Sequence, residues 1–544
     1  MTISIDQNSH VLWDTVPKLQ ALKSAGLPCT HYIEDIDVAF TMLGAKPDQT
    51  ELKISLEKFY PTGGCDWGAS LFYSDFLGRL PVEPRTWEPM LGCKLSTYAK
   101  KAGITLEELY DQHATGDNWM LIGSSFIADR NHHRLLGDLT VKEVHAYIKK
   151  FFELAKNDCL RVFKGSGVKE RVEKWFAAEW QNVLIHLNKN QGLSLDDFYD
   201  SWMNDYFGAS DNYINIAKSS KLFALNKNSN GVKLLELFLQ DYPRLSALYN
   251  QAVRDANLGL HELDTKNGEL PFFVTLNHKG HKVRCEINLA GNSLDIAGRE
   301  IALDSDRTLP LQKLKDMGVE CLVGKAILLV IQVRMGKAGK PLVMPFHGSS
   351  YMPAAHNLAK LLIENKLIEN DVSPILRVRF HLLDRLADAD INIKLPTHLQ
   401  SEFNAEEMPA KTFAKTYKNI ADNAASVLDK LLNKSQSDNW KRIAFASEFD
   451  QIEKLNSEKM KLVRENPKQP AVREIGQQAT AIKRNIDKGF IEKISSLYQT
   501  ANIDFWDSRG AICPWCIAAG GEEFYQHVIA NASVYEENHA KIEI

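Results

Sequence analysis

The feature that most restricts the fold is a seam of apolar residues between positions 405 and 500. Apolar residues there recur at spacings of four and three, the repeat of helices that pack along a common seam. A second run follows the segment 465–470, where Pro467 and Pro470 prevent a helix from continuing. The pattern predicts an antiparallel helical hairpin, with a third helix around Trp440–Met460. The runs are Phe413, Tyr417, Ile420, Ala424, Val427 and Leu431, then Ile475, Ala479, Ile482, Ile486 and Phe490.

The region before this hairpin predicts an α/β domain. After a helix, three strand-like runs alternate with turn residues, which is typical of a β-meander. A buried apolar stretch, a polar loop, a second helix and another strand follow. Strand, loop, helix and strand in succession indicate an α/β layer, in which ligands bind at the strand ends. The segments are Lys233–Ala256, Pro271–Leu276, Lys282–Asn288, Leu294–Leu303, Gly324–Val333, the loop 341–353, Ala354–Asn370 and Pro374–Leu382.

The N-terminal part mixes helices with short strands. Met120–Phe126 predicts a strand, and Thr140–Leu154 predicts an amphipathic helix with Thr140 as its N-cap. The polar segment Leu225–Gly231 interrupts the apolar periodicity and predicts a linker or a long loop. We therefore expect four parts: an N-terminal mixed α/β part (1–230), a central α/β domain (231–400), a helical hairpin (401–500) and a C-terminal tail (501–544).

Charge and cysteine content narrow the class of protein. The chain has 65 basic and 69 acidic residues among 544, a net charge of −4. This near-balance gives no electrostatic case for a nucleic acid or an acidic membrane surface as partner. Eight sparse cysteines fit a reducing cytosol better than a disulfide-stapled secreted domain. No signal peptide and no apolar run of about 20 residues are visible. The expected location is the cytoplasm.

The densest set of reactive side chains lies in the loop 344–357, with the sequence MPFHGSSYMPAAHN. It joins an imidazole, hydroxyls, a phenol and backbone amides at the start of a helix, where free N–H groups attract phosphate or carboxylate. We predict His347, Ser349 and Tyr351 as catalytic residues, with His347 as the acid or base. The alternative is that His347 is a buried structural imidazole and that the serines cap the helix.

Further groups are predicted to bind the substrate. Ser350, His356 and Asn357 belong to the same loop and helix start. Arg377 and Arg379 alternate with apolar residues on a strand, so both face one side and could meet an anion. Salt bridges to nearby carboxylates are the structural alternative for the two arginines.

The segment Cys513-Pro514-Trp515-Cys516 is the sharpest short motif. Two thiols at this spacing can bind one metal ion or form a disulfide, because one turn brings both sulfur atoms to one point. Zinc is the candidate cofactor, with Cys513, Cys516 and His527 as predicted ligands. Structural burial and redox chemistry remain open.

Three weaker motifs carry other hypotheses. The segment Asn131–Asp138 (NHHRLLGD) resembles the His-His motif of the chloramphenicol acetyltransferase and condensation-domain families, which implies His133 as a catalytic base. Lys164–Gly167 (KGSG) could cradle a phosphate in a turn between strand and helix. Gly63–Gly68 (GGCDWG) places Cys65 in a glycine turn, where it is either a nucleophile or a small buried residue.

The order of elements from about 233 to 500 resembles the family of bacillithiol-synthesis cysteine-adding enzymes. The resemblance rests on the helix LLELFLQDYPRLSALYNQAVRDANLG, the meander PFFVTLNHKGHKVRCEI and NSLDIAGREIAL, the loop HGSSYMPAAHNLAKLL, the strand PILRVRFHLLDRL and the helical hairpin. It implies a Rossmann-like core carrying a coiled-coil arm used for homodimerisation.

The expected function is that of a metabolic enzyme. The resemblance implies a ligase or group-transfer reaction on a small anionic or amine-bearing substrate. Two alternatives stay open: a non-enzymatic interaction protein with a structural zinc tail, and an acyltransferase of the His-His type.

Overall fold

The structure, a computed structural model, describes residues 1–5, 12–37, 72–73, 75–80, 84–106, 108–109, 120–121, 133–189, 192–208, 211–349, 351–507 and 511–537. The chain divides into two compact units, each built from separate stretches of sequence. Unit 1 contains Met1–Phe76, Asn118–Arg385 and Phe505–Ile544, and unit 2 contains Leu77–Asp117 and Leu386–Asp504. This division differs from the predicted one, because the segment 225–231 lies inside unit 1, where Ser229 caps a helix.

The strands are β1 Thr2–Ile5, β2 Cys29–Ile33, β3 Phe72–Tyr73, β4 Met120–Leu121, β5 His133–Arg134, β6 Phe163–Lys164, β7 Ile214–Lys218, β8 Glu269–His278, β9 His281–Ala290, β10 Ser293–Ile296, β11 Arg299–Ala302, β12 Val319–Gly324, β13 Leu342–Pro345, β14 Ile375–Arg379, β15 Asn392–Lys394, β16 Glu407–Pro409 and β17 Ser533–Glu536.

The α-helices of the described residues are α1 Leu12–Ser24, α2 Pro84–Leu91, α3 Leu95–Ala102, α4 Val141–Val162, α5 Val168–Lys189, α6 Leu195–Phe207, α7 Ser219–Leu222, α8 Asn230–Gln240, α9 Tyr242–Ala256, α10 Leu311–Asp316, α11 Ala326–Arg334, α12 Met352–Glu364, α13 Leu382–Arg385, α14 Thr397–Phe403, α15 Ala410–Leu431, α16 Lys434–Ala444, α17 Ala446–Glu465, α18 Pro470–Ala501 and α19 Ile512–Ala530.

Unit 1 is organised around a six-stranded sheet whose order is β17-β14-β13-β1-β2-β7. Five strands are parallel, and β17 pairs with β14 in the antiparallel direction. Short apolar, β-branched runs form its interior, as expected for strands covered on both faces. The strand order reverses between β1 and β13, which lie side by side. The predicted α/β class is therefore confirmed.

The predicted meander is present as an antiparallel sheet in the order β11-β10-β9-β8-β12, with β5 also paired to β9. The third predicted strand is two strands, because Ala297 and Gly298 turn the chain with φ values of 53° and 79°. The buried apolar stretch that follows is mostly helical: its first residue closes β12, and α11 contains the residues from Ala326 onward. This helix is buried from Ile327 to Arg334, so its sequence carries no amphipathic period.

Several helix predictions hold with shifted ends. Glu143 accepts a hydrogen bond from the backbone of Thr140 at 2.8 Å, so Thr140 begins α4 as predicted. The helix predicted over Lys233–Ala256 is two helices, α8 and α9, because Asp241 leaves helical geometry and caps the second. Tertiary packing therefore keeps the element types and moves their boundaries.

A tryptophan-rich core holds the N-terminal helices of unit 1 together. The Trp13 ring contacts Phe152 edge-on with centroids 4.9 Å apart. Buried Glu179 accepts hydrogen bonds from the indole N–H groups of Trp13 and Trp202, at 3.4 and 2.9 Å, and from the hydroxyl of Tyr206. Burial nevertheless raises the pKa of Glu179. These donors join α1, α5 and α6 through one side chain.

Unit 2 is mainly helical. The predicted seam is buried at Phe413, Tyr417 and Ala424 on α15, and at Ile486 and Phe490 on α18. In the region predicted as a helical hairpin, the helical prediction is confirmed from position 410. Residues 407–409 form the short strand β16, which pairs with β15.

The turn predicted around 465–470 joins α17 to α18, and these two helices pack against each other. The third helix predicted around Trp440–Met460 is two helices, α16 and α17, separated at Phe445. The rings of Trp440 and Phe490 pack at a tilt with centroids 5.5 Å apart, which joins α16 to α18. In the described part of the chain, no helix is long and apolar enough to cross a membrane.

The turn before β8 gives a first prediction. A Cβ atom at Gly268 would lie 2.0 Å from the carbonyl oxygen of Leu289, and its φ is +65°. Gly268→Ala should therefore destabilise the protein by about 3 kcal/mol or more, measured as a lower melting temperature. Gly280→Ala is the matched control, because φ there is +83° but nothing lies within 4 Å, and strain of about 1 kcal/mol is expected. Equal losses in the two variants would contradict the collision.

Candidate functional site

The predicted site loop follows β13 and lies at the carboxyl edge of the parallel sheet. β13 is flanked by β1, with Ile3 opposite Leu342, and by β14, with Met344 opposite Arg377. The edge next to β1 and β13 is where the strand order reverses. In open α/β sheets, ligand crevices form at such a reversal, outside the carboxyl ends of the strands.

The loop begins with a tight turn. The amide of Gly348 donates to the carbonyl of Pro345 at 2.9 Å. A Cβ atom at Gly348 would lie 2.9 Å from the Pro345 ring, so only glycine fits without movement. Ser349 follows with φ of 63°, a left-handed conformation that costs a non-glycine residue free energy. The sequence therefore fixes the path of the loop immediately after His347.

The side chain of Arg377 forms hydrogen bonds with the backbone of this turn. Its Nη1 donates to the carbonyl oxygens of Pro345 and Gly348 at 3.0 and 2.6 Å, and its Nε donates to Glu537 at 2.8 Å. The side chain is 9% exposed. These contacts favour the structural alternative for Arg377, because its donors point to the protein's own oxygen atoms.

Glu537 is the carboxylate partner of Arg377. We call Arg377, Glu537 and the loop carbonyls of Pro345 and Gly348 the brace. Glu537 accepts from Arg377 on one oxygen atom and lies 3.2 Å from Nε2 of His356 on the other. Burial alone would raise the pKa of Glu537, but the hydrogen bond with His356 and the charge of Arg377 lower it to about 2. The predicted substrate ligand His356 is thus tied to a carboxylate of the C-terminal segment.

Arg379 occupies a more open position on the same face of β14. Its guanidinium lies 4.2 Å from the centroid of the Phe346 ring, and its Nε is 3.2 Å from Asp507. The side chain is 22% exposed. Stacking and the ion pair orient the guanidinium at the rim of the loop, where an anion can approach.

Asp507 is a buried carboxyl beneath this rim. It accepts from Arg379 and from the backbone amide of His381, at 3.2 and 3.1 Å. Burial raises the pKa of Asp507 to about 6, against the opposing effect of Arg379. This carboxyl therefore changes charge close to neutral pH, a property that is frequent at functional sites.

His347 is half-buried among aromatic rings. The ring of Phe346 lies 4.3 Å away and that of Phe505 lies 5.9 Å away, both measured between centroids. Tyr351 and Asn357 are half-buried at the start of α12, whereas Ser350 lies outside the described residues. The carbonyl of Ser349 accepts from the amide of Met352 at 3.2 Å. His347 and Arg379 thus lie at the carboxyl ends of the neighbouring strands β13 and β14.

Sequence reasoning missed a second group at this edge. Nε2 of His381 lies 2.8 Å from Oγ of Ser533, and Nδ1 of His381 lies 3.6 Å from Oδ2 of Asp384. His381 lies two residues after the end of β14, and Ser533 opens β17 opposite Arg379. More than 150 residues separate His381 from Ser533 in the sequence. No local pattern connects them.

The cysteine pair lies on a buried face of α19, away from water. Cys513 and Cys516 are both buried free thiols, and burial raises the pKa of each well above its ordinary value. The carbonyl of Pro514, between them, accepts from the thiol of Cys159 at 3.5 Å. His527 is exposed. No group of three or more His, Cys, Asp or Glu side chains in the described ranges could hold a metal ion, so the zinc hypothesis gains no support there.

The weaker motifs fall in structural settings. His133 lies on β5, opposite Arg284, and Asp138 accepts from the imidazole of His281 at 2.8 Å. The segment 164–167 begins in β6, a strand of only two residues that follows α4 directly, and it leads into α5. The segment Gly63–Gly68 lies outside the described residues.

Comparisons with protein-family models, with curated proteins and with solved structures returned no match to this chain.

The brace beneath the loop gives a second prediction. Arg377→Lys should destabilise unit 1 by about 2 kcal/mol, a fall in melting temperature of several degrees, because one ammonium group cannot reach both carbonyls and Glu537. Arg299→Lys, at an exposed position of β11, is the control and should leave the melting temperature unchanged. A stable Arg377→Lys variant would show that the brace is not needed.

Asp507 gives a third prediction, on pH dependence. A carboxyl whose folded pKa is raised from 3.8 to about 6 binds its proton more tightly when folded, so folding is favoured as the pH falls. The melting temperature of the parent, relative to Asp507→Asn, should therefore rise between pH 7 and pH 5. Asp255→Asn removes an exposed carboxylate of α9 and is the control. A difference that is constant with pH would contradict the assignment.

Proposed function

We propose that the chain is an enzyme that transfers a group to or from a small anionic substrate bound at the carboxyl edge of the six-stranded sheet. The observation that carries the proposal is the position of His347, Arg379 and His381 at the carboxyl ends of the neighbouring strands β13 and β14, of which β13 borders the reversal of strand order. Titratable side chains at two neighbouring strand ends, beside a crevice of the sheet, are typical of functional sites. An enzyme uses such positions for binding and for proton transfer.

The choice of an anion follows from Arg379. Arg377 donates its hydrogen bonds to the loop carbonyls and to Glu537. The guanidinium of Arg379 instead lies at the rim, over the ring of Phe346. A planar guanidinium fixed by an aromatic ring is suited to bind a carboxylate or phosphate through two parallel hydrogen bonds. The expected ligand is therefore a small carboxylate or phosphate ester.

His347 supplies the acid or base of this proposal. It lies two residues after the end of β13, and the Gly348 turn and the Arg377 brace fix its backbone. The surrounding rings of Phe346 and Phe505 limit water near the imidazole. Limited water strengthens electrostatic interactions with a bound substrate.

We also propose that the chain has a Rossmann-like core and a coiled-coil arm. The order of the five parallel strands supports a Rossmann-like core. The packing of α17 on α18 and the buried seam of α15 support a coiled-coil arm that pairs two copies of the chain.

Ligand-induced stabilisation tests the function. Inorganic phosphate, pyrophosphate and malonate at millimolar concentration should include at least one anion that raises the melting temperature of the parent, because a ligand that binds only the folded state stabilises it. Arg379→Gln and His347→Ala should lose this rise. His347→Ala should change the melting temperature without ligand by less than about 1 °C, as expected for a half-buried loop side chain.

Arg299→Gln, an exposed arginine of the antiparallel sheet, is the matched control and should keep the full rise. The proposal fails if none of these anions stabilises the parent, or if Arg379→Gln responds as strongly as the parent. A large loss of stability in His347→Ala would assign His347 to the core instead.

A further inference from the structure

We infer that Ser533, His381 and Asp384 form a nucleophilic centre that accepts an acyl group from an ester or thioester. Oγ of Ser533 lies 2.8 Å from Nε2 of His381, within hydrogen-bond distance. On the other side of the imidazole, Oδ2 of Asp384 lies 3.6 Å from Nδ1. A carboxylate on that side favours the tautomer with its proton on Nδ1, which leaves the lone pair of Nε2 facing the serine hydroxyl.

The backbone around His381 holds the imidazole in place. His381 has φ of 57°, a conformation that is rare for residues other than glycine and is concentrated at functional sites. Its amide donates to buried Asp507 at 3.1 Å, and its carbonyl accepts from Arg385 at 2.9 Å. The strained residue is thus secured on both sides at the end of β14, and its ring points to the first residue of β17.

Exposure separates this pair from a purely structural one. His381 and Asp384 are 28% and 31% exposed, and Ser533 is half-buried. The same unit contains a second serine–histidine contact, Ser4 with His31 at 3.1 Å, in which the two residues are 0% and 1% exposed. No substrate can reach that buried pair. The pair at the sheet edge is open to substrate on the face where the parallel strands end.

The neighbours of Ser533 indicate what the acyl group carries. Arg379 lies directly opposite Ser533 in the β14–β17 ladder, and Arg377 lies opposite Tyr535. Directly opposed residues point to the same face of a sheet. The partly exposed guanidinium of Arg379 and the aromatic ring of Tyr535 therefore flank the hydroxyl. They fit an acyl group with a carboxylate or phosphate, and this part of the inference rests on the proposed function.

Besides the acyl donor, the reaction needs only an acceptor, which is water or an amine. Oγ of Ser533 attacks the acyl carbon while its proton passes to Nε2 of His381. The bond to the leaving alcohol or thiol breaks, and the leaving group takes that proton. Water or an amine then attacks the serine ester and gives its proton to His381, which returns it to Oγ. Asp384 is a positioning residue, because it acts through the imidazole.

Covalent labelling of the full-length protein tests the inference. A fluorophosphonate probe should form one adduct, located on Ser533 by mass spectrometry of the digested protein. Ser533→Ala should lose the adduct, and His381→Ala should label at least about 100-fold more slowly. Ser293→Ala removes a half-buried serine at the start of β10 and should label like the parent.

The role of Asp384 has its own readout. Asp384→Asn should slow labelling at least about 10-fold, and Asp384→Glu should restore much of the rate, because it returns a carboxylate to the Nδ1 side. Equal melting temperatures of the two variants would exclude a loss of folding as the cause. If Asp384→Asn and Asp384→Glu label at the rate of the parent, Asp384 is not part of the centre.

An unlabelled parent protein, or an adduct on another residue with Ser533 untouched, would overturn the inference. The neutral ester p-nitrophenyl acetate separates the inference from the proposed function, because its hydrolysis needs no anion site. Hydrolysis of that ester by the parent and by Ser293→Ala, lost in Ser533→Ala, without stabilisation of the parent by anions, would support the serine centre and sink the anion site. Stabilisation of the parent by anions without labelling would do the reverse.

Discussion

The buried guanidinium of Arg377 is the interaction on which the candidate site depends. A charge with so little exposure is tolerated only when it is fully paired, and here two loop carbonyls and Glu537 pair it. Removing any one partner leaves a buried charge or carbonyl without its partner, at a cost of about 1–3 kcal/mol. The loop after β13, the strand β14 and the C-terminal segment therefore form one cooperative unit.

The two arginines at the carboxyl edge of the sheet lie at different depths. Both arginines of β14 face one side, as their alternation with apolar residues indicates, yet they have different surroundings. Arg377 lies beneath the turn, where its partners are fixed, and Arg379 lies at the rim, where Asp507 and Phe346 orient it. Alternation determines the face that a side chain occupies, whereas the neighbouring loop determines its depth. The same residue type thus serves stability in one position and recognition in the next.

The sequence predicts local features well where a single period dominates. The seam of α15 and α18 is buried as its spacing requires, and the capping pair Thr140–Glu143 begins α4. Prediction is less successful where a short apolar run fits more than one structure, as in 326–334, where a helix buried on all sides has no amphipathic period. The loop at His347 lies at the sheet edge, but the strand that leads to it is Leu342–Pro345, inside the predicted loop 341–353, and not the apolar run 324–333.

The remainder of the site could not be predicted for a topological reason. Ser533 meets His381, and Glu537 meets Arg377, only because β17 returns to pair with β14 after the whole of residues 386–504 has intervened. Local spacing carries no information about such a pairing. The polar context of Ser533 resembles that of many surface strands, so its partner is visible only in three dimensions.

The late position of β17 has a consequence for synthesis in the cell. During translation β14 leaves the ribosome long before β17, and the long helical stretch between them is made first. Until β17 has been synthesised, β14 has an unpaired edge with two arginines and no carboxylates from the C-terminal segment. Such an edge can pair with other chains, although its charges oppose that pairing. The nascent chain therefore passes through a state in which chaperones would find an open sheet, and the site becomes complete only with the final strand.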